Sequence, residues 1–521
     1  MSFAKVYSAQ PALNPPIIEV EVDLSQGLHS FSLIGLPAKT VEESKDRISS
    51  AIKNIGFTSP KQKNQKIVVS LAPANVKKEG AAYDLAIALG YLLASDLVRF
   101  NAEGRLFIGE LSLDGFLKKT VGVLPIVRTA KQRGFKEVFV PPENAKEAAL
   151  VQGIDIYAPK NLRELIAHLS PKESAEHDPS LLGVKIEKQT KTVVTNRILE
   201  IPDLSEICGQ TQTKRALEIA AAGGHHVAMY GPPGSGKTML ARAFTSILPP
   251  LSLDDSYEVT SIHSIANNLG NEPLITHPPI RSPHHSASYA SFVGGGMDPK
   301  PGEITLAHNG VLFMDEFPEF ERRIIESLRQ PIEERKIQIS RSKETVVFPA
   351  NFVLIAAMNP CPCGYLSTEN RRCVCTPQDI MRYQKKISGP ITDRIDIWTE
   401  VSAVPAKDLS LDKKNKNQTS KDVYEKVKDA RNIQTNRFKK LKIKNNSQMS
   451  PEQLKKHSGL SKKAQNTLNS AAEKLEFSAR SYHRVIKVAR TIADLEHSED
   501  ILEHHILEAT QYRPDRSMSI F

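Results

Sequence analysis

Three short apolar runs in this chain each end in residues suited to chemistry on a phosphate. In "HHVAMYGPPGSGKTML" the run is followed by Gly231, Pro232, Pro233, Gly234, Ser235, Gly236, Lys237 and Thr238, and then by a helical pattern. Glycines at 231, 234 and 236 let backbone N–H groups, Ser235 among them, close round phosphates at the start of a helix, where the dipole favours anions. Lys237 is spaced to reach β- and γ-phosphates and Thr238 to ligate Mg²⁺, so the stretch reads as a site for ATP with Mg²⁺. "GVLFMDEF" ends in Asp315 and Glu316. The first carboxylate suits the Mg²⁺ hydration shell, and the second suits orienting and polarising an attacking water. "FVLIAAMN" ends in Asn359, a polar tip suited to the γ-phosphate. Farther on, Arg394 in "SGPITDRID" and Arg480 and Arg484 in "FSARSYHRVIK" offer cations for the charge of a transferring phosphoryl group. Supplied by a neighbouring subunit, such a cation couples hydrolysis to assembly.

Directly after Asn359 come Cys361, Cys363, Cys373 and Cys375, four of the five cysteines, spaced C-x-C, nine residues, C-x-C. Thiols this dense match the ligand count of a closed tetrahedral Zn²⁺ site in a single short loop, with reduced doublets or a redox switch as the alternative. A disulfide framework of the secreted kind would disperse its cysteines.

These residues must be held by more than one domain, since 521 residues with 40% hydrophobic and 25% charged content imply two or three real cores. Alternating strand and helix patterns such as "IIEVEV", "FSLIGL", "KIVVSLAP" and "YDLAIALGYLLA" predict a mixed α/β domain over 1–170. Charge and Pro replace apolar periodicity over 171–197, a linker. Residues 198–404 predict an α/β core with a parallel sheet, and 405–521 a mostly helical, Lys-rich domain. No run of eighteen apolar residues and no secretory leader is found, so the expectation is a cytoplasmic protein with no membrane partner.

"GPPGSGKTMLA", "GVLFMDEFPEF", "NPCPCG" and "SGPITDRID" together resemble the AAA+ ATPases and, within them, the ComM/YifB family of magnesium-chelatase-like proteins. The resemblance covers essentially the whole chain. It implies an AAA+ P-loop core with a helical lid, Arg394 as a finger reaching a neighbour's ATP, Arg480 as the second sensor with Arg484 as its competitor, and a ring, expected to be a hexamer. It further implies a DNA helicase that drives branch migration on single-stranded and branched DNA during natural transformation and homologous recombination. A protein remodeller or a chelatase-type ATPase with a non-DNA substrate is the alternative. The stretches "LAPANVKKEGAAYDLAIALGYLL" and "VGVLPIVRTAKQRGFKEVFVPPEN" are similar to the Lon proteolytic domain, of ribosomal-S5-like fold. Ala82 and Leu124 stand where that family has its Ser and Lys, so no peptide hydrolysis is expected.

A net charge of +10 is compatible with nucleic acid. "EERKIQISRSKETVVFP" reads as a hairpin with Arg341 and Lys343 at its tip, placed to touch DNA phosphates without reading bases. "SPHHSASYASFVGGGMDPKPGEI" is a Gly-, Pro- and His-rich insertion of the kind that faces the pore in that family. His284 and His285 stand too isolated to act as metal ligands.

Overall fold

The computed structural model describes residues 2–170, 187–189, 202–270, 272–296, 300–340, 345–366, 371–403 and 418–514. Almost all of the expected linker therefore lies outside the described residues. The chain forms two compact units, Met1–Val194 with Ser256–Ile275, and Thr195–Asp255 with Thr276–Phe521. The helix Leu253–Ile265 thus begins in the second unit and continues into the first.

In the first unit, strands β1 (Phe3–Ala9), β2 (Ile17–Gln26), β3 (Ser30–Ile34) and β4 (Gln65–Ala72) form one sheet in the order β1-β2-β4-β3. Alternation in β2 sends Ile18, Val20 and Val22 into the core. Helix α1 (Ser44–Asn54) packs with α2 (Asp84–Ala94), which is apolar all round because every residue but Leu93 is buried. Gly90 is what lets α2 lie so close to the sheet, since a Cβ there would come 2.7 Å from Val22 Cγ2. A second, parallel sheet joins β5 (Arg105–Phe107), β6 (Glu137–Phe139) and β7 (Asp155–Tyr157), beside helix α3 (Val123–Gln132). Ala82 and Leu124 are both buried in the apolar cluster beneath it. The segment from Ser256 completes this unit, with the Tyr257 hydroxyl donating to the Leu150 carbonyl at 2.9 Å and Leu274 joining the cluster.

The second unit is built on five parallel strands. These are β8 (Val227–Tyr230), β9 (Ile280–Arg281), β10 (Val311–Met314), β13 (Val353–Met358) and β14 (Ile397–Glu400), in the order β9-β10-β13-β8-β14. The expected hairpin is β11 (Lys336–Ser340) against β12 (Thr345–Pro349). Val227 and Met229 face one cluster and Ala228 the other, and β10 and β13 divide in the same way. Burial on both faces explains why these strands read as unbroken apolar runs. Helices α4 (Thr211–Gly223), α6 (Ser420–Arg437), α7 (Ala479–Leu495) and α8 (Glu503–Gln511) cover the first face, so the helical C-terminal region shares one core with the sheet. α5 (Lys237–Ala243) follows the glycine loop. No helix among the described residues is long and apolar enough to cross a membrane.

Candidate active site

The three chemical tips meet because their strands are neighbours in register. Tyr230 is paired with Met358, so the glycine loop and Asn359 leave the sheet side by side. Met314 is paired with Ala356 one strand over, which brings Asp315 to the same edge. Gly231 has no room for a side chain, as a Cβ would come 2.1 Å from the Val401 carbonyl oxygen. Gly234 and Gly236 turn the loop with φ of 74° and 92°, the left-handed region that glycine enters without strain.

Lys237 opens α5 and curls back into the loop, donating to the carbonyls of Gly231 (2.8 Å) and Pro232 (2.9 Å) and to Asn359 Oδ1 (3.2 Å). Burial pushes its ammonium pKa down, with Asp315 opposing. The Ser235 hydroxyl is buried without a partner among the described residues. The Thr238 hydroxyl donates to Asp315 Oδ2 at 2.9 Å, which places the two expected Mg²⁺ residues in contact. Glu316 sits in the left-handed region at φ 51°, a conformation uncommon outside glycine, and its carboxylate points back to His285 Nδ1 at 3.3 Å. His285, which the sequence discounts only as a metal ligand, is thus a partner of the residue expected to activate water. The only signal was a histidine pair inside an insertion. Phe292 in that insertion is fully buried, and the Tyr289 ring is covered by the Arg323 guanidinium at 3.9 Å.

The cysteines form one cluster against this site. Sulfur separations are 3.4 Å (Cys361 to Cys363), 3.7 Å (Cys361 to Cys373) and 3.5 Å (Cys363 to Cys373), and Cys375 Sγ accepts the Cys363 N–H at 3.4 Å. A tetrahedron with Zn–S bonds of about 2.3 Å has edges of about 3.8 Å, so the three sulfurs at these spacings, with Cys375 Sγ within 4.8 Å of each, fit the ion. All four are free thiols. Burial lifts Cys361 to about 12, whereas at Cys363 the backbone N–H groups of Tyr365 and Val374 outweigh burial and hold the thiol at about 6. A Cβ at Gly364 would come 2.5 Å from Pro233 Cδ, so the cysteine loop lies against the glycine loop. A second cluster, Glu496, His504 and His505, looks similar on distance alone. There His505 Nδ1 accepts the Leu502 N–H at 2.9 Å, which puts the proton of the neutral ring on Nε2 and leaves no lone pair for a metal.

The arginines do not join the phosphate loop. Arg394 precedes β14 and so lies at the N-terminal edge of the sheet, opposite the loop that follows β8. Its guanidinium is held by Glu333 Oε1 (2.7 Å) and the Pro390 carbonyl (2.7 Å) and is only 8% exposed. Arg480 is 58% exposed and lies 3.7 Å from the same Glu333 oxygen. Arg484 is instead paired with the buried Asp396. Glu333, which gathers two of the expected cations, was unmarked in the sequence. Arg341 and Lys343 lie outside the described residues, between strands whose last pair is Ser340 with Thr345.

Comparison with known proteins matches family profiles described as magnesium chelatase, subunit ChlI, over residues 203–409; subunit ChlI of Mg-chelatase over 20–144; and the ChlI C-terminal region over 417–513. The competence protein ComM of Haemophilus influenzae is 42% identical over 516 residues, covering 98% of each chain. YifB of Salmonella typhimurium is 40% identical over 515 residues, covering 98% of this chain and 97% of its own. Lon protease 2 of Bacillus subtilis is 31% identical over 120 residues, 23% of this chain and 21% of its own.

Proposed function

Because the chain belongs to the ComM/YifB family of magnesium-chelatase-like AAA+ ATPases, we propose that it is a ring-shaped, ATP-driven motor that translocates on DNA and promotes branch migration of single-stranded DNA during recombination in natural transformation. The observation that carries the reading is the split of its charged groups between two edges of one sheet. Lys237, Thr238, Asp315, Glu316 and Asn359 meet at one edge, while Arg394 and Arg480 gather on Glu333 away from it. A second copy is needed to bring both sets to one nucleotide, which favours a homo-oligomeric ring such as a hexamer.

In this reading Lys237 exchanges loop carbonyls for the β- and γ-phosphate oxygens, and Thr238 and Asp315 would hold Mg²⁺, which would neutralise phosphate charge. Glu316 accepts a proton from the attacking water, Asn359 positions that water against the γ-phosphate, and Arg394 approaches from the neighbour. Arg480 suits the second-sensor role because it is exposed, whereas Arg484 is committed to Asp396. The net charge of +10 and the hairpin residues Arg341 and Lys343 favour DNA as the track.

The test is ATP turnover with and without single-stranded and branched DNA, alongside strand exchange on a three-stranded junction. DNA is expected to raise turnover, and Lys237→Ala to lower it by about a hundred- to a thousandfold while abolishing strand exchange. Turnover that ignores DNA would overturn the track and leave an ATPase acting on a protein or chelatase-type substrate.

Cys361, Cys363, Cys373 and Cys375 would hold a structural Zn²⁺, which cross-links the loop that touches Pro233 and so stiffens the glycine loop. Elemental analysis is expected to find one zinc per chain, lost in Cys373→Ser together with part of the thermal stability. Protein that is fully active and metal-free would remove the zinc.

A further inference from the structure

A second polar cavity, of about 150 Å³, opens at the N-terminal edge of the parallel sheet. His226 immediately precedes β8, Phe352 precedes β13 and Asp396 precedes β14, and all three line it. The glycine loop leaves the other end of β8, four residues and about 13 Å away at the rise of a strand. The cavity is therefore separate from the nucleotide site of its own chain.

Its charges do not balance. Arg335, Arg484 and Lys487 all line it. Of the two carboxylates there, Glu333 is committed to Arg394 and Arg480. Asp396 is spent on Arg484, on the His226 N–H at 3.1 Å and on His225 at 3.4 Å. Lys487 Nζ has the Ser447 carbonyl at 2.9 Å. The Arg335 guanidinium has no hydrogen bond or ion pair among the described residues, although its backbone is held in the left-handed region at φ 56°, where a long charged side chain is unusual. Burial lowers the pKa of Arg335 with Asp396 opposing, and burial, aided by Arg484 and Arg335 and opposed by Asp396, brings Lys487 down to about 8. Asp396 is thus one carboxylate shared among three cations, an excess of positive charge that is costly in a desolvated cleft. His226 is neutral, held at about 4 by burial, and its Nδ1 accepts the Leu354 N–H, so Nε2 remains a donor. Donors of this kind, with an excess of two positive charges, match a tetrahedral dianion, and the volume admits phosphoryl groups but no nucleoside.

We propose that this cavity is a second phosphate-binding site, in which Arg335 and Lys487 receive a phosphoryl dianion beside the Arg484–Asp396 pair. The group is either free inorganic phosphate or the terminal phosphoryl group of a nucleotide bound to a second copy. The second source rests on the ATP-binding assembly proposed above, whereas the first does not.

The experiment is calorimetric titration of inorganic phosphate into the nucleotide-free full chain, in which neither source already fills the cavity. Wild type is compared with Arg335→Met and Lys487→Met. Each variant is expected to weaken phosphate binding about tenfold or more, because each removes a charge-assisted donor. Each should also melt no lower than wild type without phosphate, since it removes an unneutralised cation; either folded variant suffices for the comparison. Equal binding in wild type and variants, or none in wild type at millimolar phosphate, overturns the proposal. Sedimentation of the chain loaded with Mg²⁺ and a non-hydrolysable ATP analogue separates the sources. Variants that assemble only at higher protein concentration point to a nucleotide on a second copy, and unchanged assembly points to free phosphate. If the analogue itself fails to bind, the ATPase reading fails, and the titration of nucleotide-free protein still decides the cavity.

Discussion

Glu316→Gln is expected to retain ATP binding and to lose about a hundred- to ten-thousandfold in turnover, the contribution of a positioned general base. The amide keeps the shape of the side chain and its link to His285 but cannot accept the water proton. Binding should survive because Lys237, Thr238 and Asp315 are untouched, and Asp315 already accepts both the Thr238 hydroxyl and the Glu316 N–H at 2.9 Å. Steady-state turnover paired with equilibrium binding of a fluorescent ATP analogue separates the two quantities. Loss of both together would mean that Glu316 supports the loop, and retained turnover would mean that another group activates water.

Asp396→Ala is expected to cost the second unit about 3–5 kcal/mol, the penalty for breaking a buried ion pair from one side. Asp396 is 2% exposed and is the counter-charge of Arg484, the acceptor of the His226 N–H and the neighbour of His225. Burial opposes its ionisation, yet Arg484 and His225 outweigh that and hold its pKa well below the usual 3.8. A depressed carboxylate contributes stability that is complete above its unfolded pKa and is lost as pH falls through the folded value. The gap between wild type and Asp396→Ala in urea unfolding should therefore hold at neutral pH and close only below about pH 4. A gap that closes between pH 6 and 7 would assign the coupling to a histidine.

Much of the candidate site was legible because each of its residues ends an apolar strand of its own, and strand, loop and helix patterns are local. The parallel sheet followed from the same runs, each buried on both faces. The strand Phe3–Ala9 escaped notice because its buried positions are Val6, Ser8 and Ala9, too small and too polar to stand out. Glu333, His285 and Arg335 escaped for a different reason. Glu333 and His285 matter through partners on other segments, and Arg335 through a cavity whose other lining residues come from distant segments, so none of the three is marked locally. The cysteine cluster was readable in ligand number, while its contact with Pro233 depended on the fold of the loop.

The passage of one helix from the second unit into the first bears on how the protein can be taken apart. A cut between residues 170 and 197 separates the polypeptide but not the fold, because Ser256–Ile275 stays on the downstream piece while packing in the upstream unit. The upstream piece alone would lack the Tyr257 hydroxyl on the Leu150 carbonyl and the Leu274 side chain from its core. Fragments for dissecting the two units must therefore carry residues 256–275 over to the first, spliced or supplied in trans, since truncation before residue 197 yields a unit with a seam open to water.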